Sequence, residues 1–354
     1  MKIAILCPTF YIYQGISRVA EHQAKEFLEK GNEVAIFCFK SNMEPPLGVK
    51  LNILGMPENY LGRRIYRLLF PLDFPKLIKW VPKLRSYDII YSHAEPLHWL
   101  AYLAKKKYGT KYVYYNHHFN PPSAYPTFVE RFYIKLRFIQ TKWLVRRADS
   151  AISISEYSRN MLKEQVGKDS IVIYNSIDVQ RFHSGIDGSR IRQKHNLGNV
   201  PVVLFIGEVS PTKGIHLLIQ SFNEVTRIVP KAKLLIVGAH PYKKYLETLN
   251  KISNDSVIFT GPVPDEEVPY YYAACDVYAT ASIWEGFDMP VAEAQNCGKP
   301  VVAFDVGPHR EVIKSGKLGK LVPTKDTKAM ATAILNFIDE NELQGTLLKP
   351  MDKI

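Results

Sequence analysis

The stretch ATASIWEGFDMPVAEAQNCGKP holds two glutamates, Glu285 and Glu293, on either side of a short glycine-bearing loop. A strand ending near Ala281 would run into that loop. Pro290 suits the first position of a following helix, and Gly298 suits its C-terminal cap. The backbone N–H groups from about Phe287 to Val291 then lack partners inside the helix, and the helix dipole adds to their pull on an anion. A phosphate fits there. Each carboxylate can accept hydrogen bonds from sugar hydroxyls beside it. A helix-capping glutamate and a solvated one explain the same residues without a ligand, and both readings stand at this point.

Three other segments carry candidate chemistry. In VVLFIGEVSPTKGIHLLIQSF, Lys213 and Gly214 follow a strand and open a helix. A lysine at a helix N-terminus is electrostatically misplaced unless an anion sits there; an exposed loop lysine is the plain alternative. In PTFYIYQGISRVAEHQ, Gly15 lets the backbone approach a ligand or simply makes a left-handed turn. In KYVYYNHHFNPPS, His117 and His118 end a buried strand at the sheet edge where α/β proteins bind ligands. Neighbours on a strand point oppositely, so one of the two histidines reaches that edge. A hydrogen-bonded structural histidine remains the other reading of each.

The elements that must position these residues are legible as runs. KIAILC, EVAIFCF, DIIYSH, KYVYYN, SAISIS and SIVIYN, then VVLFIG, KLLIVG, SVIFTG, VYATA and PVVAF, read as strands buried on both faces. Amphipathic segments such as 17–30, 213–229 and 290–297 alternate with them. That alternation predicts an α/β fold of doubly wound, Rossmann-like domains. The pattern pauses in a polar, glycine-bearing stretch. We therefore expect an N-terminal domain over 1–180, a linker over 181–200 and a C-terminal domain over 201–354.

The formal net charge is +12. It calls for an anionic partner: nucleic acid, an anionic membrane surface or a phosphorylated small molecule. The basic residues interleave with large apolar ones in LGRRIYRLLFPLDFPKLIKWVPKLR and ERFYIKLRFIQTKWLVRRAD. There Arg131, Lys135, Arg137, Lys142, Arg146 and Arg147 surround Phe132, Phe138, Trp143 and Leu144. That mix suits docking on an anionic bilayer, and a lipid-linked acceptor would follow. A helix packed on the core with a solvated basic face is the alternative. No nucleic-acid motif accompanies the charge, so no nucleic-acid partner is expected. Cys7, Cys38, Cys275 and Cys297 have neither metal nor redox spacing. They read as reduced, buried thiols, which points to a cytoplasmic protein. The N-terminus lacks the features of a signal peptide, and no apolar run is long enough to span a bilayer, so membrane contact would be peripheral.

The string EGFDMPVAEA resembles the C-terminal signature of glycosyltransferase family 4, retaining enzymes of the GT-B fold, in which two Rossmann-like domains face each other across a cleft. GEVSPTKG, VIYNSID, FTGPVPDEEVPYYYAACDVYATAS and DVGPHREVI occur in the order that the family has, so the resemblance covers nearly the whole chain. It implies that Glu285 holds the donor sugar hydroxyls, Glu293 the ribose, and Lys213 the diphosphate. The backbone of Phe287, Asp288 and Met289 would cradle that diphosphate, Gly15 would lie at the donor, and His117 would lie over the reacting sugar. Three departures stand out. Glu208 replaces a usual arginine, with Arg18 as one substitute cation; Asp288 replaces a frequent glycine; and Gly15-Ile16 replaces a double glycine. The family's returning last helix is expected to be short or missing. No Asp-x-Asp motif is present, so neither a metal nor another cofactor is expected. The expected partners are a nucleotide-sugar donor and a glycan or lipid-linked acceptor. Three rivals remain: an inverting glycosyltransferase or epimerase, a non-catalytic binding protein encouraged by Glu208, and a nucleic-acid binder.

Overall fold

Four of the five residues of Lys2–Leu6 are buried, because helices cover both faces of that strand. Ala4 and Leu6 cluster with Leu100, Ala101 and Ala104 of the helix His98–Tyr108. Ile3 and Ile5 cluster with Ala20 and Ala24 of the helix Gly15–Glu29. Alternate side chains leave a strand on opposite faces, so each face gains its own core. The second half repeats the device. Val203 and Phe205 pack with the helices Ile215–Ile228 and Thr327–Leu347, whereas Val202 and Leu204 pack with the helices Val268–Ala274 and Met289–Asn296.

The structure is a computed structural model that describes residues 1–11, 15–117, 127–313 and 318–347. Its strands in the first half are β1 (Lys2–Leu6), β2 (Thr9–Phe10), β3 (Glu33–Cys38), β4 (Lys40–Ser41), β5 (Lys50–Ile53), β6 (Ile89–Ser92), β7 (Lys111–Asn116), β8 (Ser150–Ser153) and β9 (Ile171–Val172). The second half has β10 (Val202–Ile206), β11 (Lys233–Val237), β12 (Val257–Gly261), β13 (Val277–Thr280), β14 (Val301–Phe304) and β15 (Gly319–Val322). Two parallel sheets result, ordered β5-β3-β1-β6-β7-β8-β9 and β12-β11-β10-β13-β14-β15, with β2 and β4 as a small pair of their own. In each main sheet the chain winds outward from its first strand, then returns to that strand's other side. The two reversals fall between β1 and β6, where Leu6 pairs with Ser92, and between β10 and β13, where Leu204 pairs with Tyr278. Loops that leave the carboxyl ends of such neighbours diverge and open a crevice.

The chain divides into two units, 1–176 and 177–354. The stretch 181–200, expected as a linker, lies within the second. It forms a helix at Ser189–Lys194 and sends Phe182, Ile191 and Leu197 into that unit's core. Ion pairs from Arg181 to Asp265 (2.9 Å), Arg192 to Asp276 (2.9 Å) and Lys194 to Glu267 (2.7 Å) hold it there. A Cβ at Gly188 would lie 2.3 Å from the backbone of Ala274, so only glycine allows this approach. Isolated apolar residues among polar ones gave no periodic signal, which is why the stretch reads as a connector.

Candidate active site

β10 and β13 lie side by side, so their carboxyl-end loops must meet. The β10 loop turns at Gly214 in the left-handed region (φ 63°), where a Cβ would stand 2.0 Å from the Ala281 carbonyl oxygen. Glycine is required there on both counts. The Ile283 N–H donates to the Thr212 carbonyl at 3.0 Å and ties the two loops together. Lys213 ends the short 3-10 turn Pro211–Lys213, one residue ahead of Gly214 and its helix. From there its ammonium donates to the Glu285 carboxylate. Burial works against this ammonium, but Glu285, then Asp288 and Glu208, outweigh it and hold Lys213 above its ordinary value. Burial and the neighbouring Asp288 raise the Glu285 carboxyl, opposed by Lys213 and a hydrogen bond from Ser282.

Asp288 precedes the helix Met289–Asn296 with a φ of 68°. Few residues other than glycine accept that conformation, and aspartate is one. Its carboxylate faces His309 Nε2 at 3.0 Å, while His309 Nδ1 faces the Phe304 carbonyl at 2.7 Å. His309 is fully buried. Burial lowers the imidazole, yet the Asp288 hydrogen bond and charge reverse the direction, and His309 is raised. Asp288 is lowered against its own desolvation by Lys213 and His309. Glu293, five residues into that helix, accepts from the buried Tyr272 hydroxyl at 2.7 Å. The Tyr278 hydroxyl is pushed up by burial and then by Asp288, Glu285 and Glu293, so all three carboxylates share its neighbourhood. Glu208 is exposed on its loop, and Phe287 and Met289 flank Asp288.

The first unit places the other candidates. Gly15 begins the helix Gly15–Glu29 outside the left-handed region, and a Cβ there would meet nothing within 4 Å. The open space suits backbone approach rather than a left-handed turn. Arg18, the candidate substitute cation, lies in this helix and pairs with Glu21 at 3.0 Å. His117 follows β7 and is buried; His118 lies outside the described residues. His117 Nε2 lies 2.9 Å from Nδ1 of His93, whose Nε2 lies 2.9 Å from Gln23 Oε1. The amide oxygen accepts only, so His93 donates from Nε2, and His117 Nε2–H then donates to His93 Nδ1. Tyr115 stacks on His93 with centroids 4.5 Å apart. Burial drives His93 down to about 3, so the ring is neutral.

Sequence reasoning missed His93, Tyr272, Ser282 and His309. His93 carried a usable signal, since it ends a strand-like run as His117 does. Ser282 and His309 become visible only when β13 and β14 bring their following loops together, and Tyr272 only when the helix Val268–Ala274 packs against the helix Met289–Asn296.

The two basic segments pack against each other in the first unit. Tyr133 donates to the Arg64 carbonyl at 3.1 Å, and Gln140 to the Leu68 carbonyl at 3.1 Å, so the helices Tyr60–Leu69 and Phe128–Val145 lie together. Leu61, Ile65, Leu72, Phe74, Ile78, Phe128 and Phe132 are exposed, with Phe128 at 81%. Lys79, Lys83, Arg131 and Lys135 of the same segments are exposed too. Leu144 is instead in the core and Arg137 pairs with Glu95, so neither serves this surface. No helix among the described residues is long and apolar enough to cross a membrane.

The profile described as Glycosyltransferase Family 4 matches residues 13–181, and that described as Glycosyl transferases group 1 matches 187–348. The chain is 34% identical over 202 residues to the GDP-mannose-dependent alpha-(1-6)-phosphatidylinositol monomannoside mannosyltransferase of Mycolicibacterium smegmatis. That match takes in 53% of this chain and 52% of the relative, about half of each. The phosphatidyl-myo-inositol mannosyltransferase of the same organism is 26% identical over 98% of this chain and 86% of its own length. Among solved structures, HepE of Anabaena with UDP and glucose superposes with a TM-score of 0.78 at 24% identity, covering 97% of this chain and 91% of that one. Sucrose-phosphate synthase of Thermosynechococcus elongatus reaches 0.82 at 21% identity, over 99% and 92%. The fold is therefore GT-B.

Proposed function

This chain belongs to glycosyltransferase family 4, and we propose that it works as a retaining member of that family. It is a hexosyltransferase that draws on a nucleotide-sugar donor. Under the proposal the donor is a UDP- or GDP-sugar, and the acceptor is a glycan or lipid-linked sugar at the cytoplasmic face of a membrane. One observation carries the donor assignment: Lys213 and Glu285 form a partly buried ion pair where the β10 and β13 loops meet, beside the N-terminus of the helix Met289–Asn296. A diphosphate would take up Lys213 and the N–H groups of Phe287, Asp288 and Met289. Glu285 would then turn its free acceptors to the sugar hydroxyls, and Glu293 to the ribose.

Catalysis would be electrostatic. As the bond from the anomeric carbon to the phosphate oxygen breaks, negative charge grows on the departing diphosphate, which Lys213 and the helix N-terminus would stabilise. The acceptor hydroxyl attacks the anomeric carbon from the side of the departing diphosphate, and its proton passes to the leaving phosphate oxygen. That front-side course retains configuration without the carboxylate nucleophile that a covalent route needs. In the first unit, Gly15 would give the donor room and His117 would sit over the sugar.

The apolar, basic surface of helices Tyr60–Leu69 and Phe128–Val145 supports a lipid-linked acceptor. So do the relatives whose names specify phosphatidylinositol acceptors. Glu208 favours a second reading, a sugar-nucleotide-binding protein without transfer, because it adds a carboxylate where the family carries a cation. A panel of UDP- and GDP-sugars with lipid-linked and glycan acceptors separates the two. We expect transfer with the product anomer unchanged from the donor. An inverted anomer overturns retention; thermal stabilisation by donors without transfer or hydrolysis selects the binding protein. Sedimentation with anionic vesicles at low salt tests the membrane assignment, and no binding overturns it.

A further inference from the structure

Asp288 is an unusual choice for its place. Its backbone occupies the left-handed region that a glycine fills without cost, and it stands at the mouth of a helix N-terminus assigned above to a diphosphate. A carboxylate there repels the ligand. As the residue ahead of the helix it could cap the first turn, yet its side chain makes no capping hydrogen bond. It turns to His309 instead, at 3.0 Å.

His309 is fully buried in the same unit. The Phe304 carbonyl at 2.7 Å can only accept, so Nδ1 carries a proton. The Asp288 carboxylate accepts at Nε2, so that nitrogen carries one too. The pair is an imidazolium against a carboxylate, closed from water. Its effect reaches Lys213 and Glu285, both of which feel the Asp288 charge. The formal charges around the cradle make the point. Glu208, Glu285 and Asp288 set three negative charges against one on Lys213, a net −2. His309 brings this to −1, at a site where the family's arginine is absent.

We infer that His309 is a positioning residue for the donor: through Asp288 it cancels the carboxylate at the diphosphate cradle and pins the left-handed turn that forms it. The inference rests on the donor-site reading above and deepens it. His309 supplies from beneath the cradle part of the positive charge that Glu208 removes from its rim. Asp288 is harmful to an anionic ligand only when His309 is missing.

The full-length chain, labelled with nitrogen-15 in histidine, should show His309 protonated at both ring nitrogens at neutral pH. UDP and GDP serve as probes in calorimetric titrations. His309→Gln should weaken the tighter of the two by about 10- to 100-fold, the coupling expected between groups of one charged network. Asp288→Gly combined with His309→Gln should return affinity to within about threefold of wild type, because the two effects are coupled. Unchanged affinity in His309→Gln, or a double variant no better than the single one, overturns the inference. Should His309→Gln fail to fold, the labelled wild type and the double variant decide: a neutral His309 ring, or a folded double variant far weaker than wild type, overturns it. A wild type that binds neither nucleotide overturns the donor-site reading and this inference together. A wild type that binds, and loses affinity on Lys213→Ala but not on His309→Gln, overturns this inference alone.

Discussion

Two of the buried histidines that follow strand ends, His93 in the first unit and His309 in the second, differ in charge: one is neutral and the other is cationic. His93, after β6, faces Gln23 and His117. No carboxylate opposes its desolvation, so burial, helped by His98, drives it down to about 3. His309, after β14, is at least as buried but faces Asp288, and it is raised. Burial therefore sets a histidine's charge only until a carboxylate meets it. The same logic divides the two sheet edges. The edge at β6 and β7 presents a hydrogen-bonded chain from His117 through the neutral His93 to Gln23, which can orient a ring and fix its tautomer. The edge at β10 and β13 presents buried charges, which suit an anion. One topology, used twice, yields two chemistries because the loops differ in where they place carboxylates.

The largest test of this contrast is Lys213→Ala. If the second edge acts by charge, kcat/KM for transfer should fall about 10³-fold, or roughly 4 kcal/mol, as when a preorganised electrostatic contact is lost. The melting temperature should move by only a few degrees. A variant within about tenfold of wild type in initial-rate assays would break the contrast.

His93→Gln sharpens the other side. The folded value of about 3 lies below the ordinary 6.5, so the unfolded chain takes up this proton first as pH falls. Stability is whole above 6.5 and declines as pH drops towards 3. Between pH 7 and pH 4.5 the wild type should lose about 2.5 kcal/mol more than His93→Gln. Urea unfolding at the two pH values measures this; equal losses would mean that His93 is not a buried neutral ring.

Gly214→Ala probes how the charged edge is assembled. A methyl group at a left-handed residue, against the Ala281 carbonyl, should cost about 2 kcal/mol in urea unfolding. No loss would show that the two loops are not in contact. Tyr272→Phe should have the smallest effect. Losing its hydrogen bond to Glu293 should cost about 1 kcal/mol, read as a several-fold rise in donor KM with kcat unchanged. A fall in kcat instead would place Glu293 at the reacting centre.

Much of the fold was legible in the chain because strands buried on both faces must be continuously apolar. KIAILC, VVLFIG and VYATA contain β1, β10 and β13, and the helices start and stop within a few residues of their expected bounds. β5 and β15 escaped notice. They are four-residue edge strands that begin with KL and GK, and an edge strand needs no continuous apolar run. The packed stretch 181–200 escaped because its apolar residues stand singly. Of the candidate site, Lys213, Glu285, Asp288 and Glu293 were each marked by residue type at a strand end or helix start. Their mutual arrangement was not.

What the sequence determined by itself is local. Apolar runs set the strands, Pro290 and Gly214 set helix boundaries, and strand-end polar residues marked the functional edges. Tertiary structure decided which of those residues meet. Only the adjacency of β10 and β13 puts Lys213 on Glu285, 72 residues away. Only the packing of β14 beside β13 puts His309 under Asp288, and only that of β6 beside β7 puts His93 against His117. The charge on each histidine follows from its partner and its burial, and neither quantity exists until the chain has folded.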